Sequence, residues 1–257
     1  MYLTIQAIVL RVTDYNDRDA LLTVLSKNHG KLTIKARGLR RKNSPLIAPC
    51  QLLAFGEFTL FEYRGNYTVN EANCIELFHP LRKDISLLSL GSYIANVAET
   101  ICMEDVPNPE LLSLVLNSLF ALSKLDIRET IVKSVFELRG ACIAGYTPDL
   151  SGCRCCGNST PDSFDLSAGH LECSRCRSSD SNGIRMPLTE GVLDSMRYIC
   201  SCEPKKIFQF QVSEQTAEKL SQITESYLIT QLERGFSTLD FYKSLQIESP
   251  ILGDNYV

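Results

Sequence analysis

The sequence has few of the groups on which hydrolytic and phosphoryl-transfer enzymes rely. It contains only three histidines. His29 and His79 sit beside turn or helix-start residues, and His170 lies in a cysteine-rich loop. No G-x-x-x-x-G-K-[ST] phosphate loop occurs, which argues against an intrinsic ATPase, and neither G-x-S-x-G nor H-E-x-x-H is present. Long apolar runs are missing as well. The uncharged runs 85–98 and 111–123 span 14 and 13 residues, whereas a membrane-spanning helix needs roughly 20. Met1 to Leu10 has neither a basic n-region nor a small-residue cleavage site, so no signal peptide is expected. Finally, no acidic residue occurs between Asp19 and Glu57.

What remains is ordinary globular material. Over 257 residues, 44% hydrophobic and 22% charged side chains leave enough apolar mass for one to three small domains. The net charge of −4 by itself opposes a nucleic-acid partner. Its distribution reverses that inference. Residues 1–80 carry 10 Lys and Arg against 7 Asp and Glu, a net of +3, and the remainder carries 16 against 23, a net of −7. The acid-free window holds Lys27, Lys31, Lys35, Arg37, Arg40, Arg41 and Lys42. A binding face depends on local potential, not on whole-chain charge. A solvated loop with incidental basic residues fits the same run.

Alternating and β-branched residues mark strands at about 3–12, 21–26, 31–36, 52–63 and 67–72. Five short strands in about 75 residues point to a small barrel, for which the OB-fold is the common solution. Lys31 and Lys35 fall on the wet face of the third strand. Arg37, Arg40, Arg41 and Lys42 continue the charge into a loop, 38–49, that Gly38, Asn43, Pro45 and Pro49 mark as mobile. Phe55, Phe58, Phe61, Tyr63 and Tyr67 lie on strands, where alternation sends some to the core and leaves others for base stacking. Beyond residue 77 strand signals stop. Helical periodicity covers about 84–103, 109–124, 127–145, 188–202 and 213–234, with Pro109 suited to a first helical turn. The expected class is α+β multidomain: an OB-fold barrel over 1–80, a helical domain over 81–150 and 187–257, and a zinc-ribbon-like insert over 151–186.

Eleven cysteines without a secretory signal favour a reducing cytoplasm and a metal site over a disulfide framework. Cys153-x-x-Cys156 and Cys173-x-x-Cys176 have the two-knuckle spacing of a structural Zn²⁺ site, one ion per chain. Two tight turns each offer two thiolates, which together close a tetrahedron. Gly157 suits the turn after the second ligand because it tolerates positive φ. Four thiolates leave no open coordination position, so the site is structural. Cys155 can exchange register with its neighbours, and His170 is an alternative to Cys173. A redox dithiol lacks the βαβ context it would need. Cys50, Cys74, Cys102, Cys142, Cys200 and Cys202 read for the most part as small buried hydrophobes.

The order of these features resembles the bacterial RecO family of recombination mediators over essentially the whole chain. The carriers are Ala36-Arg37-Gly38-Leu39-Arg40-Arg41-Lys42-Asn43-Ser44, the turn Tyr63-Arg64-Gly65, Phe136-Glu137-Leu138-Arg139, Gly145-Tyr146-Thr147-Pro148-Asp149-Leu150 and the Cys153-x-x-Cys156-Gly157 knuckle. The resemblance implies an OB-fold, a helical domain and a zinc-ribbon-like module in a protein that is not an enzyme. It implies binding to single- and double-stranded DNA and annealing of complementary strands, including strands coated by single-stranded-DNA-binding protein (SSB). It further implies engagement of the SSB C-terminal tail, cooperation with RecR in loading RecA, and a link to RecF. Some members lack the cysteines, so zinc is structural where present. The implied location is the bacterial cytoplasm, in association with the nucleoid.

On this basis Lys31, Lys35, Arg37, Arg40, Arg41 and Lys42 are the candidate DNA contacts, and Cys153, Cys156, Cys173 and Cys176 the candidate metal ligands. An acidic, apolar-ended tail needs an apolar pocket rimmed by cations, for which Arg128, Lys133 and Arg139 are candidates. Two other classes compete with this reading. One is a zinc-stabilised protein-interaction adaptor without a direct DNA role. The other is a thiol-dependent enzyme.

Overall fold

The computed structural model describes residues 1–176 and 183–248, so 177–182 of the expected metal module and 249–257 of the last segment lie outside the described residues. Five strands, β1 (Tyr2–Asp14), β2 (Ala20–Ser26), β3 (Gly30–Ala36), β4 (Phe55–Tyr63) and β5 (Asn66–Glu76), close a barrel in the order β1-β2-β3-β5-β4. The β3–β5 pair is parallel and the other four pairs are antiparallel. The barrel is OB-like, as the strand count predicts. Period-2 alternation fills its interior with Ile5, Ala7, Val9, Leu22, Val24, Leu32, Ile34, Phe58, Leu60 and Val69. A register shift between Val9 and Arg11 in the β1–β2 ladder, and two more in β4–β5, supply the extra bend that closure demands.

The segment between β3 and β4, which composition marks as mobile, is a chain of turns tied to the barrel. Arg41, Ser44, Ile47 and Cys50 each donate a backbone hydrogen bond to a carbonyl three or four residues back. Leu39, Leu46 and Cys50 are buried in the barrel core. Leu53 and Ala54 bond to the backbone of Val9. Breaker residues mark where a chain turns, but buried apolar side chains between them anchor it.

Two compact units divide the chain, residues 1–125 with 236–257 and residues 126–235. In the first, the barrel is joined by α1 (Ile85–Ile101), α2 (Pro109–Lys124) and α6 (Ser237–Glu248). Asp84 caps α1 by accepting from the Ser86 and Leu87 N–H groups, and Pro109 opens α2 behind the Asn108 cap. The helix α6, for which no sequence signal was read, returns to α1, where Tyr93 meets Phe236 edge-on at 5.7 Å and Thr238 bonds Asn96.

The second unit is built on α3 (Glu129–Ile143), α4 (Glu190–Ser201) and α5 (Glu214–Leu232). It also holds a small sheet, β6 (Asp149–Cys153), β7 (Ser163–Asp165), β8 (His170–Glu172) and β9 (Arg185–Pro187), in the order β6-β8-β7-β9. Three of these strands are three residues long, too short for a period of two to register in the sequence. The insert, read as too polar for a core, buries Phe164, Leu166 and Leu171, and Phe164 packs on Tyr227 of α5 at 5.2 Å between ring centroids.

Candidate nucleic-acid interface and metal centre

The six candidate DNA contacts divide into two groups. Lys31 is the second residue of β3, where the strand is flanked by residues 103–105. Its backbone bonds Met103 and Asp105, and its ammonium donates to the Glu99 carbonyl at 3.3 Å. Lys35 pairs with Asp19 at 3.2 Å and lies 4.3 Å above the Tyr15 ring. Arg40 pairs with Asp14. Arg37, Arg41 and Lys42 are exposed and, among the described residues, have no side-chain hydrogen bond or ion pair.

Asp19 organises this end of the barrel. It accepts the Gly38 N–H at 2.8 Å as well as the Lys35 ammonium. Those bonds, the Gly38 N–H first, then Lys35 and Asn16, hold its carboxyl below the usual aspartate range. Arg40 N–H donates to the Arg18 carbonyl. The β1–β2 turn (15–19) and the start of the β3–β4 segment are thereby joined into one rim. Lys35 and Arg40 hold that rim in shape, Arg37, Arg41 and Lys42 face solvent from it, and Lys31 lies at the opposite end of β3.

Among the strand aromatics, Phe58 is fully buried and Tyr67 packs against the core, whereas Phe61 and Tyr63 are exposed. Sequence reasoning missed Tyr2 and Tyr15, both exposed. The alternation within β1 places Tyr2 outward, a signal legible beforehand. The position of Tyr15 over Lys35 depends on the rim and was not.

The four candidate metal ligands come together. Their sulfurs lie within 4.8 Å of one another, with Cys156 Sγ 3.9 Å from Cys173 Sγ. A tetrahedron of thiolates at a zinc–sulfur distance of about 2.3 Å has edges of roughly 3.8 Å. The donor set therefore fits a structural metal. Backbone N–H groups already stabilise thiolate character. Bonds from the Cys156 backbone first, with Cys155 and Cys173, hold the Cys153 thiol down at about 6. Asn158 Nδ2 donates to Cys173 Sγ at 3.3 Å. Gly157 takes φ +72° immediately after the second ligand. Cys155 is exposed and turned to the Cys176 carbonyl, outside the thiol group. His170 bonds Glu172 at 3.1 Å and approaches Arg154, so it too lies outside.

Two of the three candidate tail-binding cations are engaged within their own unit. Lys133 is buried between Glu137 at 2.9 Å and Glu225 at 2.8 Å. Arg139 donates to the Ile199 and Cys200 carbonyls at the end of α4. Arg128 is exposed and lines an open groove with Ile127, Ile131, Phe208, Phe210 and Val212. Cys142 and Cys200, read as inert core residues, have sulfurs 3.7 Å apart. Their hydrogen bond holds the Cys142 thiol down at about 7 and pushes Cys200 up. No helix among the described residues is long and apolar enough to cross a membrane.

Comparison with known proteins agrees with this arrangement. Residues 1–78 match the family model described as Recombination protein O N terminal, and residues 82–240 match Recombination protein O C terminal. A DNA repair protein RecO from Acetivibrio thermocellus is 35% identical across 95% of this chain and 97% of its own length. One from Alkaliphilus metalliredigens is 29% identical across 95% of this chain and 100% of its own length. An OB-like barrel, a helical unit with a four-cysteine cluster and matches to both family models lead to one conclusion: the chain belongs to the RecO family of DNA repair and recombination proteins.

Proposed function

We propose that this chain binds single- and double-stranded DNA on the rim of its barrel and anneals complementary strands, including strands coated by SSB. With RecR, it then promotes loading of RecA, without catalysing a reaction itself. The observation that carries the reading is the trio Arg37, Arg41 and Lys42, solvent-facing and without acidic partners on a rim that Asp14 and Asp19 hold in shape. Contacts of this kind go to phosphates and have little sequence preference, as a protein acting on any damaged site requires. Annealing follows from charge neutralisation, which lets two repelling strands share one surface.

The remaining parts take supporting roles. The barrel over 1–80 is the DNA module, and the helical segments 81–150 and 187–257 receive protein partners. The insert over 151–186 is fastened by one Zn²⁺ on Cys153, Cys156, Cys173 and Cys176. The groove beside Arg128 suits an acidic tail with an apolar end, because Phe208, Phe210 and Ile131 offer apolar surface next to a guanidinium that has no ion pair among the described residues. It is the place for the SSB tail, and a functional link to RecF belongs to the same reading. The chain acts in the cytoplasm, at the nucleoid.

The test is annealing of SSB-coated complementary strands by wild type and by a variant with Arg37→Ala, Arg41→Ala and Lys42→Ala. Loss of annealing with SSB-tail binding intact supports the reading. Unchanged annealing and DNA affinity, together with loss of function on Arg128→Ala, would leave a protein adaptor in its place.

A further inference from the structure

The outward face of the barrel carries aromatic rings where a barrel that only had to fold would carry polar ones. Tyr2 on β1 and Phe61 on β4 are directly opposite in the ladder, 62% and 42% exposed, with ring centroids 5.5 Å apart. Tyr63, 59% exposed, follows two residues along β4 and so faces the same way. The next positions on that face, Thr4 and Thr59, are of the expected polar kind and bond one another.

The register extends the row. Phe61 pairs with Thr68 on β5, and Thr68 with Lys35 on β3. Lys35 in turn lies over the exposed Tyr15 ring, and the Arg64 guanidinium lies 5.2 Å from the Tyr63 ring. At about 4.8 Å per strand, the three steps from Tyr2 to Lys35 cover about 14 Å of the curved barrel surface. Aromatic rings at one end of this row therefore give way, across Thr68, to a cation at the other. That row ends two residues before Arg37.

We propose that Tyr2, Phe61 and Tyr63 form a stacking shelf for the unpaired bases of a single strand whose phosphates run along Arg37, Arg41 and Lys42. The inference rests on the DNA-binding reading above and deepens it. Duplex DNA keeps its base faces stacked inside, so it can use the cations but not the shelf. A single strand offers both phosphates and faces. The shelf thus makes the barrel prefer the unpaired form, and it places bases outward from a face on which a second strand can meet them.

The test compares an oligothymidylate, an abasic strand of equal length and a duplex, each labelled and followed by fluorescence anisotropy over a range of salt. Phe61→Ala and Tyr63→Ala should each weaken oligothymidylate binding by about 5- to 150-fold, the range for loss of one stacked base. The salt slope, duplex affinity and abasic-strand affinity should stay at wild-type values, and Phe61→Tyr should restore binding. Circular dichroism melting establishes that each variant folds. If the alanine variants bind all three probes as wild type does while the Arg37, Arg41 and Lys42 variant loses binding, the shelf is wrong and the DNA reading stands. If neither set loses binding, both fail. Equal losses on strand and duplex also overturn the shelf.

Discussion

The division of the six candidate cations into paired and unpaired groups has a measurable consequence. In the first variant, Arg37, Arg41 and Lys42 are all replaced by alanine. In the second, Lys31, Lys35 and Arg40 are. Each phosphate neutralised on a single strand contributes about 0.7 to the slope of log K against log salt. Three unpaired cations therefore account for about 2 units of slope. Between about 50 and 200 mM salt, a slope lower by 2 changes the fall in affinity by about 20-fold. The second set is occupied: Lys35 by Asp19, Arg40 by Asp14 and Lys31 by the Glu99 carbonyl. A phosphate must displace those partners before it releases a counterion, so the slope should change by less than about half as much. The assay is anisotropy titration of a labelled oligothymidylate at several salt concentrations, with melting curves to check folding. If the second set flattens the slope as much as the first, ion pairing is not what selects the contacts. If the first set leaves it unchanged, the rim is not the phosphate track.

Other regions make separate predictions. Lys133→Ala should cost about 3–5 kcal/mol in urea unfolding, because it removes the ammonium that pairs with the fully buried Glu137 carboxylate. Burial alone would lower the Lys133 pKa, but Glu137 and Glu225 raise it on balance. The ion pair's contribution is therefore complete below the unfolded lysine pKa of about 10.4 and is lost as pH rises through the higher folded value, which urea midpoints from pH 8 upward will follow. If the proposed site binds zinc, atomic absorption should find one equivalent in the wild type and in Cys155→Ser and none in Cys156→Ser or Cys176→Ser. Gly30→Ala should destabilise by more than about 2 kcal/mol, since φ is +62° and a new Cβ would lie 2.0 Å from the Val106 carbonyl oxygen; a urea midpoint equal to wild type refutes this. Cys142 should be alkylated with a midpoint near pH 7, read by mass spectrometry of its peptide, and Cys200→Ala should move that midpoint up towards the ordinary thiol value.

Much of the molecule was legible from local pattern. The alternation in β1, β2 and β3, the apolar stripe of α3 and Pro109 at the start of α2 each depend on residues within a turn or two of one another. Knuckle spacing selected the four thiols for the same reason, since each turn holds its own pair of sulfurs. The short strands of the insert and α6 were not legible. Three-residue strands have no period to read, and α6 is positioned by packing against α1, whose last residue, Ile101, lies 136 positions before Ser237.

The sequence by itself determined the barrel, the helical body, the cysteine site and the local excess of positive charge, because each follows from neighbouring residues. Only the tertiary structure decided which charges are available. Lys35 meets Asp19, Arg40 meets Asp14 and Lys133 meets Glu225 across 16, 26 and 92 positions of chain. Alternation puts Phe58 and Phe61 on opposite faces of β4, and closure of the barrel decides which face is the inside. Charge composition is additive along a chain. Exposure and pairing arise only where distant segments meet.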